Sequence, residues 1–293
     1  MKKKILFIIN PKSGVKGKTD FPELIASWID KNTIEYEIEY TKAPKHAIEL
    51  SRAAASKGFD VVVAIGGDGS MNEVATGLMG TQTVLAFIPT GSGNGMARHL
   101  HIPMNYKDAI AVINTGRVEN IDTFKVNNEV CIGTLGVGFD AHTAHLFAKS
   151  ATRGFATYAK IILSEFYKYK PLSYEMTIEG EDFSKECFLL TIANSSQFGN
   201  NAVIAPFASV KDGVLDITMI SRFPLIRTPV IIYRLMTRSI QKSPFFTAKR
   251  GKEIIIKNKT ELPAHIDGEP VIFASDLHIK VVPSSLNVLV PNK

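Results

Sequence analysis

The sequence predicts an α/β domain followed by an all-β domain, that is, a parallel sheet covered by helices and then an antiparallel β-sandwich. Strand-like and helix-like segments alternate over about the first 120 residues. The strands among them are nearly continuous apolar runs, as expected where helices cover both faces of a parallel sheet. Beyond about Asp122 the pattern changes to short alternating strands separated by turn residues, which is typical of antiparallel sandwiches and barrels. This change places a domain boundary near residues 122–126.

The N-terminal elements follow one another as strand, helix, strand, helix. The predicted strands are KKILFIIN, IEYEIEY, DVVVAI and TVLAFIP. The predicted helices are FPELIASWIDK, HAIELSRAAASKG, MNEVATGLM and NYKDAIAVINTG. Asp20 stands where an N-cap of the first helix is expected, and Gly58 and Gly116 stand where glycines commonly end helices. Such alternation predicts a parallel sheet.

The C-terminal part is predicted to be mostly strands. One helical stretch is predicted from about Ala141 to Tyr169. The other segments are SYEMTIEG, CFLLTIAN, GVLDITMIS, EIIIKN, LPAHIDGEP, LHIKVVP and LNVLVP. Acid-glycine pairs at Glu179-Gly180, Asp212-Gly213 and Asp267-Gly268 mark turns between strands, because two-residue hairpin turns favour such pairs.

The composition indicates a globular protein that folds without disulfides. The chain has 293 residues, of which 45% are apolar and 21% are charged. Cys131 and Cys187 are too few and too far apart to predict a disulfide framework. No segment approaches the roughly 20 apolar residues of a membrane span. The apolar run of the first strand also falls short of the roughly 7–15 residues of a secretory signal core. We therefore expect a cytoplasmic protein.

The net charge of +6 is unevenly placed. The stretch from Arg222 to Lys259 holds ten Lys or Arg and a single acid, Glu253, which gives this stretch +9 and the rest of the chain −3. The apolar segments FPLIRTPVIIYRLM and PFF lie within it. This combination suits an anionic membrane surface, and it also suits a solvated basic face over an ordinary core. Nucleic acid is not expected as a partner, because no nucleic-acid motif accompanies the charge.

A glycine-rich turn with one acid at its tip follows the predicted strand DVVVAI: Gly66, Gly67, Asp68 and Gly69. Ligands bind at the carboxyl ends of strands in open α/β sheets, and the N-terminus of the next helix favours anions. Phosphate is therefore the expected ligand. The Asp68 carboxylate would repel phosphate unless a divalent cation lay between them, so the loop predicts Mg²⁺ chemistry. The alternative is a tight strand–helix turn in which Asp68 only caps the helix.

Two further loops have the same form. PTGSGNGMAR follows the next predicted strand and places Gly91, Gly93 and Gly95 around Ser92 and Asn94. NPKSG follows the first strand. The carboxyl ends of parallel strands lie at one edge of a sheet, so the three loops are predicted to form a single phosphate-binding edge.

Taken together, GGDGSMNEV and PTGSGNGMAR resemble the catalytic domain shared by diacylglycerol kinases, bacterial lipid kinases and sphingosine kinases. NAD kinases and phosphofructokinases are more distantly similar. The likeness continues through NPKSG, TKAPKHAIEL, GVGFDA, APFASVKDGVLDI, HIDGEP and the closing LNVLVP. It implies a nucleotide-binding α/β domain over residues 1–123, to which the last segment, 286–293, returns, and a lipid-substrate β-sandwich over 124–285. It also implies an ATP- and Mg²⁺-dependent lipid kinase that transfers the γ-phosphoryl group to a lipid hydroxyl.

The resemblance assigns the nucleotide contacts to the three loops and to the end of the second strand. Most of these positions hold glycine or a small polar residue, which lets phosphate oxygens approach backbone N–H groups. The implied contacts are Asn10, Ser13, Gly14, Thr41, Gly66, Gly67, Asp68, Gly69, Ser70, Met71, Asn72, Gly91, Ser92 and Asn94.

The resemblance places the acid–base chemistry in HIDGEP. Asp267 is implied as the general base that accepts the proton of the lipid hydroxyl, with Glu269 beside it. Asp68 is implied to act in catalysis through the metal ion. The alternative for Asp267-Gly268 is an ordinary hairpin turn without a catalytic role.

Two Mg²⁺ sites are implied by the resemblance. A structural ion would be held in SVKDGVLD by the Asp212 carboxylate and by the backbone carbonyls of Ser209 and Val214, a ligand set that suits a hard cation. The catalytic ion would lie in a water-mediated network that Asp122 and Asp68 share.

The sequence departs from the family pattern at Asn94-Gly95, where many bacterial diacylglycerol kinases have Asn-Asp. A residue without a carboxylate is instead similar to sphingosine and long-chain-base kinases, so the expected acceptor is a diacylglycerol-like lipid or a sphingoid base. Two alternatives stay open: an NAD-kinase-like enzyme of a soluble metabolite, and a nucleotide-binding regulator without catalysis. The expected partners are the lipid substrate, an anionic membrane contacted peripherally, and a second copy of the chain in a homodimer.

Overall fold

A computed structural model describes residues 2–12, 20–150, 155–258 and 260–292. The chain forms two compact units. The first unit comprises Met1–Asp122 and Ser284–Lys293, and the second comprises Thr123–Pro283. The sequence-based domains, 1–123 with 286–293 for the nucleotide and 124–285 for the lipid substrate, stay a prediction.

The first unit alternates strand and helix along the chain. Its strand order is β2-β1-β3-β4, and all neighbouring strands run parallel. The predicted parallel sheet with helices is confirmed. The elements are β1 (Lys3–Ile9), α1 (Phe21–Trp28), β2 (Ile34–Tyr40), α2 (His46–Ser56), β3 (Val61–Gly66), α3 (Asp68–Leu78), β4 (Val84–Pro89), α4 (Gly95–His99) and α5 (Tyr106–Thr115).

The core of the first unit explains its apolar strands. All six residues of β3 are buried, as are the last five of β1. Side chains of α1 and α5, among them Ile25 and Ile110, pack in the same cluster as Phe7, Val63 and Ile88 of the sheet. Because helices cover these strands, the strands need no polar face, and the sequence shows uninterrupted apolar runs.

Asp20 occupies the predicted N-cap position of α1, but its side chain makes no capping hydrogen bond. At the start of α5, Asn105 does cap the helix, because its Oδ1 accepts a hydrogen bond from the Asp108 N–H at 2.9 Å. The Glu73 carboxylate on α3 accepts hydrogen bonds from the N–H groups of Lys45 and Ala47 at the start of α2.

Two long strands carry the chain between the units. β5 (Arg117–Val126) leads out of the first unit, and β18 (Leu277–Val290) leads back into it. Near its end, β18 adds to the parallel sheet, with Val288 opposite Leu85 of β4.

The second unit is built mainly from antiparallel strands. Its elements after β5 are β6 (Glu129–Cys131), β7 (Thr134–Gly138), α6 (Phe139–Lys149), α7 (Phe155–Glu165), β8 (Leu172–Ile178), β9 (Glu181–Cys187), β10 (Leu189–Ala193), β11 (Gln197–Gly199), β12 (Ala202–Val203), β13 (Leu215–Ile220), α8 (Thr228–Met236), β14 (Phe246–Gly251), β15 (Glu253–Ile256), β16 (Leu262–Ile266) and β17 (Glu269–Phe273).

Two sheets of the second unit share one core. One has the order β18-β15-β8-β9, and the other has the order β14-β13-β10-β7-β16-β17. The neighbours along both orders run antiparallel. Met176 and Ile254 of the first sheet pack in one buried cluster with Leu135, Leu190 and Ile217 of the second. The predicted antiparallel sandwich is confirmed.

The helices of the second unit differ from the prediction. The single stretch predicted from Ala141 to Tyr169 is two helices, since α6 ends before Ser150, whose backbone is extended, and α7 ends at Glu165. Helix α8 lies in a segment for which the sequence pattern gave no element. Within the part of the chain that the structure describes, no helix is both long enough and apolar enough to cross a bilayer.

Candidate functional site

The first unit places the predicted phosphate loops at the carboxyl edge of its parallel sheet. Asn10 directly follows β1, and its N–H donates to the Ile65 carbonyl of β3 at 3.2 Å. Thr41 directly follows β2, and its N–H donates to the Ile9 carbonyl of β1 at 2.9 Å. These bonds hold the ends of three neighbouring strands together, so the residues that follow them share one edge.

The two glycine loops after β3 and β4 meet backbone to backbone. The N–H groups of Thr90 and Gly91 both donate to the Gly66 carbonyl, at 2.7 and 3.2 Å. A Cβ placed on Gly91 would lie 2.8 Å from the Gly67 Cα and 2.8 Å from the Asn94 Oδ1. Real Cβ atoms do not come so close, so position 91 accepts only glycine unless the loops separate.

Asp68 connects these two loops through its side chain. It is the first residue of α3, and Gly67 holds the N-cap position, so Asp68 is not the N-cap of the helix. Its Oδ2 accepts a hydrogen bond from the Asn94 N–H at 2.8 Å. The residue is half-buried in the first helical turn, where the helix dipole favours a negative charge.

Asn94 contributes a buried amide to the same edge. It is 3% exposed and has a left-handed backbone, with φ at +51°. Its Nδ2 donates to the Gly91 carbonyl at 2.7 Å, whereas its buried Oδ1 finds no hydrogen-bond partner among the residues described. Leaving a buried acceptor unpaired costs on the order of 1–3 kcal/mol. A bound donor, such as the water of a hydrated cation, would remove this cost.

The loop after β1 is tied to the start of α3. The Nδ2 of Asn10 donates to the Oγ of Ser70 at 3.1 Å. Ser13 and Gly14, which were predicted to contact the nucleotide, lie outside the described residues. The described part of this loop therefore joins the same edge as the other two loops.

Other predicted contact residues differ in how they can reach a ligand. Met71 is fully buried, so only its backbone could face one. Ser92 is exposed at the tip of the second loop. Asn72 is half-buried on α3, and its Oδ1 is 3.4 Å from the Thr76 hydroxyl.

Asp122 lies at the end of the first unit, in β5. It is 3% exposed, and its Oδ1 accepts a hydrogen bond from the Ser284 N–H at 2.8 Å. This bond joins β5 to β18 where the chain returns. Its membership in a metal network with Asp68 stays a prediction.

In the second unit, Asp267-Gly268 forms the two-residue turn between β16 and β17. Both residues have positive φ, +49° and +84°, and Ile266 pairs with Glu269 across the turn. Such a pair of left-handed residues defines a type I′ hairpin. The hairpin interpretation of this pair is confirmed, and a catalytic role would be additional to it.

The Asp267 carboxylate is held by the loop between β6 and β7. Its Oδ1 accepts hydrogen bonds from the N–H groups of Gly133 and Thr134 at 2.8 and 2.9 Å, and its Oδ2 accepts one from Ile132 at 3.0 Å. A Cβ on Gly133 would lie 2.7 Å from Oδ1, so this glycine leaves room for the carboxylate. The carboxylate is therefore fixed in direction by three amides.

The Cys131 thiol also lies beside this carboxylate. Its Sγ is 3.5 Å from the Asp267 Oδ1, and the residue is fully buried. Burial, and then the Asp267 charge, raise the pKa of Cys131 well above its usual value. The thiol is thus protonated at neutral pH and acts as a weak donor to the carboxylate.

A buried acid–imidazole pair supports the turn, and the sequence analysis did not find it. The Nε2 of His265 lies 3.3 Å from the Asp140 Oδ2, and its Nδ1 accepts a hydrogen bond from the Gly268 N–H at 3.3 Å. Because Nδ1 accepts, Nε2 carries the proton and donates to Asp140. Both side chains are almost fully buried. A Cβ on Gly136 would overlap both of them, so GVGFDA supplies the acid and the space for the pair.

Two further polar side chains lie at or near the turn. Glu269, the first residue of β17, is exposed. Ser195 is 1% exposed, and its Oγ has no hydrogen-bond partner within the described ranges. This hydroxyl lies 3.2 Å from the point where a Cβ on Gly133 would stand, close to the Asp267 carboxylate. No sequence motif pointed to Ser195.

The predicted structural metal site is occupied by an ion pair in the described structure. The Arg250 guanidinium contacts the Asp212 carboxylate and lies 3.3 Å from the Asp216 carboxylate. Burial raises the pKa of Asp216, and the Arg250 charge opposes this shift. No group of three or more His, Cys, Asp or Glu in the described ranges could hold a metal ion. A Mg²⁺ held by Asp212 and the carbonyls of Ser209 and Val214 would have to share a carboxylate with a guanidinium, so these residues fit the ion poorly.

The chain thus consists of an α/β unit with glycine loops at its sheet edge and a unit built as an antiparallel sandwich. Residues 4–126 match the diacylglycerol kinase catalytic domain, and residues 133–290 match the YegS C-terminal NAD kinase beta sandwich-like domain. The chain therefore belongs to the family of diacylglycerol kinases and YegS-like lipid kinases.

Named relatives agree with this membership, and a solved structure shares the fold. The chain is 30% identical to a diacylglycerol kinase of Mycobacterium tuberculosis over 262 residues, which cover 84% of this chain and 81% of the relative. It is 26% identical to a diacylglycerol kinase of Staphylococcus aureus, over 92% of this chain and 87% of the relative. A crystal structure of a diacylglycerol kinase from Bacillus anthracis shares the fold with a TM-score of 0.73 at 20% identity, covering 98% of this chain and 97% of that one.

Proposed function

We propose that this protein transfers the γ-phosphoryl group of ATP, with Mg²⁺, to the hydroxyl of a lipid that is either diacylglycerol-like or a sphingoid base. Membership of the lipid kinase family supports the reaction class. The observation that carries the site is the contact of the two glycine loops at Gly67 and Gly91, with the Asp68 carboxylate bonded across them.

The first unit would hold the nucleotide through its backbone. The N–H groups at the start of α3 and in the loops after β1 and β4 suit phosphate oxygens, since helix N-termini and glycine loops present donors without side chains. Mg²⁺, when bound, would neutralise charge that develops on the transferred group. Asp68 and the unpartnered Oδ1 of Asn94 are the oxygens of this edge that fit a hydrated cation. Asp122 stays the proposed second acid of that network.

The second unit would supply the base. In the proposed step the lipid hydroxyl oxygen forms a bond to the γ-phosphorus, the bond from that phosphorus to the bridging oxygen of ATP breaks, and ADP leaves. The hydroxyl proton passes to the Asp267 carboxylate, which the amides of residues 132–134 hold in one orientation. Such help contributes typically 10²–10⁴-fold to the rate. Glu269, exposed at the next strand, is the second acid of the proposed pair.

The proposal includes a structural Mg²⁺ beside Asp212. The Arg250 guanidinium already contacts Asp212 and lies 3.3 Å from the Asp216 carboxylate. Thermal unfolding with and without Mg²⁺ tests it, using Arg250→Gln as the variant. Binding at Asp212 predicts that Mg²⁺ raises the Tm of the variant more than that of the unchanged chain, and equal responses would remove this ion from the proposal.

A screen of phosphoryl acceptors tests the proposed reaction. The full chain is incubated with γ-labelled ATP and, separately, with diacylglycerol, monoacylglycerol, a sphingoid base, ceramide or NAD. Label is expected in a lipid, and only when Mg²⁺ is present. Label in NAD alone would favour the soluble-metabolite alternative, and label in none of them would favour a regulator without catalysis.

Asp68→Asn tests the role of the carboxylate at the glycine loops. Asparagine keeps an oxygen for the Asn94 N–H but removes the charge, so kcat is expected to fall about 10³-fold while Tm changes by less than about 2 °C. Asp20→Asn is the matched control, because Asp20 is exposed in the same unit and makes no capping bond. Undiminished turnover by Asp68→Asn would contradict the metal role.

A further inference from the structure

Helix α8 of the second unit is apolar on both its inner and its outer side. Ile231 and Leu235 face inward and pack in a buried cluster with Phe166, Phe188 and Phe223. The opposite side of the helix carries Ile232, Tyr233 and Met236, which are 52%, 66% and 49% exposed. A helix that is apolar all round is normally buried on all sides. Among the residues that the structure describes, none buries the outer side of α8.

The exposed apolar residues are concentrated at this helix. Ile226, in the 3₁₀ turn Leu225–Arg227 just before α8, is 85% exposed, and Val230 is 41% exposed. Five of the fourteen exposed large apolar side chains in the described residues thus fall within residues 226–236. Scattered exposed apolar residues are ordinary, whereas a contiguous patch marks an interaction surface. We call this patch the outer face of α8: Ile226, Val230, Ile232, Tyr233 and Met236.

Positive charge surrounds the outer face of α8. Arg227 precedes the helix, Arg238 follows it, and both are exposed, as is Lys242 in the next turn. No Asp or Glu occurs between Asp216 and Glu253. The surface therefore combines an apolar centre with basic flanks, the pattern of helices that lie in a membrane interface.

Two other basic residues of the stretch recognised in the sequence have partners elsewhere. The Arg250 guanidinium contacts the acids Asp212 and Asp216, and the Lys249 ammonium lies 4.3 Å from the centre of the Phe183 ring. Both residues belong to β14. The candidate surface is therefore taken as residues 222–242, the part of the stretch that carries the exposed apolar side chains.

Helix α8 is firmly attached to the second unit. The Arg222 guanidinium donates to the backbone carbonyls of Tyr169 and Tyr167, at 3.0 and 3.5 Å, just beyond the end of α7. The rings of Phe166 and Phe223 lie 5.1 Å apart within the same cluster. A rigid attachment lets an exposed face be presented without ordering a mobile segment at the moment of binding, which avoids that entropic cost.

We propose that the outer face of α8 inserts into the interface of an anionic lipid bilayer, with Arg227, Arg238 and Lys242 at the level of the lipid phosphates. The inference rests on the proposed function, because a kinase of a bilayer lipid must reach its acceptor at that interface. Charge complementarity favours the bilayer over a second copy of this chain. A two-fold symmetric dimer through this face would bring the same cations of both copies together without an acid to pair them.

Vesicle sedimentation of the full chain without nucleotide tests the proposal. Vesicles of phosphatidylcholine with about one third phosphatidylglycerol should bind the chain, and Ile226→Ser/Ile232→Ser/Met236→Ser should weaken binding at least about tenfold. The matched control, Tyr40→Ser/Val118→Ser/Ile272→Ser, removes apolar residues of similar exposure elsewhere and should bind as the unchanged chain does. Equal binding by both triple variants would overturn the proposal.

The contribution of the basic residues to vesicle binding is tested in the same sedimentation assay. Each basic residue near an anionic surface is worth roughly a fivefold change in partition, so Arg227→Gln/Arg238→Gln should lose about 25-fold. The loss should shrink at high salt and on vesicles of phosphatidylcholine alone. Lys31→Gln/Lys57→Gln, at exposed positions of the first unit, is the control. Binding that ignores anionic lipid and salt would contradict the role of the arginines.

Fluorescence tests which residues enter the bilayer. Tyr233→Trp in a Trp28→Phe background leaves one tryptophan, at the centre of the outer face. Anionic vesicles should shift its emission to the blue, and lipids brominated on their acyl chains should quench it. A tryptophan that stays solvated while the chain sediments with vesicles would place the contact elsewhere and overturn the proposal.

Two outcomes distinguish the membrane proposal from a dimer interface and from the proposed kinase function. If sedimentation velocity shows that the Ser triple variant changes the chain from dimer to monomer and leaves vesicle binding intact, the face covers a second copy and the membrane proposal fails. The vesicle assay reads binding alone, so its failure leaves the kinase assay unaffected. Conversely, absence of turnover by the unchanged chain on every acceptor would overturn the proposed function while vesicle binding still stands.

Discussion

Two hairpin turns of the second unit share a sequence pattern and a backbone shape. Glu179-Gly180 joins β8 to β9 with φ values of +52° and +84°, and Asp267-Gly268 joins β16 to β17 with +49° and +84°. In both turns the acid accepts backbone N–H bonds from a neighbouring segment. The Glu179 carboxylate accepts from Lys252 and Glu253, and the Asp267 carboxylate accepts from residues 132–134.

The turns differ in what surrounds the carboxylate. Glu179 is exposed, whereas Asp267 is half-buried above the His265–Asp140 pair and beside the Cys131 thiol. A carboxylate that accepts backbone N–H hydrogen bonds in a type I′ turn thus occurs twice in this protein. Such a carboxylate is not by itself a sign of a catalytic residue. What distinguishes Asp267 from Glu179 is the buried, hydrogen-bonded His265–Asp140 pair that supports its turn.

The two turns are expected to differ most in how kcat responds when the charge of the acid is removed. Asp267→Asn should lower kcat by about 10²–10⁴-fold, because the amide cannot accept the hydroxyl proton. Glu179→Gln should leave kcat unchanged, since that turn has no proposed role in the reaction. Steady-state kinetics on the best lipid acceptor measure both, and equal effects on kcat would show that the two turns do not differ in function.

Glu269 is the second acid to compare with Asp267. Glu269→Gln is expected to lower kcat less than about tenfold, because Asp267 remains as the base. A larger loss for Glu269→Gln than for Asp267→Asn would transfer the role of base to Glu269 and leave Asp267 as a structural carboxylate.

The next comparison is the effect on kcat of adding a Cβ to the glycine that lies beside each acid. A Cβ on Gly133 would lie 2.7 Å from the Asp267 Oδ1, whereas a Cβ on Gly251 would lie 3.3 Å from the Glu179 Oε1. Gly133→Ala must displace the carboxylate and is expected to lower kcat about tenfold, as a misplacement of the order of an ångström does. Gly251→Ala should leave kcat unchanged, and a matching loss there would mean that both variants act through general destabilisation.

The sequence predicted the elements of the first unit better than those of the second. The strands without a predicted counterpart are β5, β6, β7, β9, β11, β12 and β14. β2, for example, is the segment IEYEIEY itself, because strict alternation has no helical interpretation. Helix α8 was missed because TPVIIYRLM is rich in β-branched residues, which are more typical of strands than of helices. The remaining signal was Pro229, in the first turn of the helix, where proline is tolerated.

One part of the candidate site could be predicted from the sequence, and another part could not. The glycine loops are continuous in sequence, and the rule that parallel strands end at one edge was enough to bring them together. The support of Asp267 comes from Asp140 and from residues 131–134, all more than 125 positions away. No local pattern connects such residues, because their contact depends on the register of β16 against β7.

A smaller effect is expected from His265, which acts on the reaction through the turn. Its Nδ1 accepts the Gly268 N–H and its Nε2 donates to Asp140, so His265→Gln keeps a donor toward Asp140 but loses the acceptor for the turn. We expect about a tenfold lower kcat with KM for ATP unchanged. His265→Asn places an oxygen near the former Nδ1 and should keep more of the activity. Identical kinetics for the two variants would reduce His265 to a packing residue.

The smallest effect is on stability alone, and it measures what the carboxylate of the Glu179 turn contributes to the fold. The N–H groups of Glu253 and Lys252 lower the pKa of Glu179 below its usual value. A carboxyl with a lowered pKa in the folded state stabilises the fold above its unfolded pKa of about 4.3, and this contribution is lost as the pH falls through the folded pKa. Glu179→Gln should therefore lower Tm at pH 7, and the difference in Tm should shrink as the pH falls through the lowered pKa of the native carboxyl. A difference in Tm that stays the same as the pH falls would show that the Glu179 side chain stabilises its turn by packing and not by its charge.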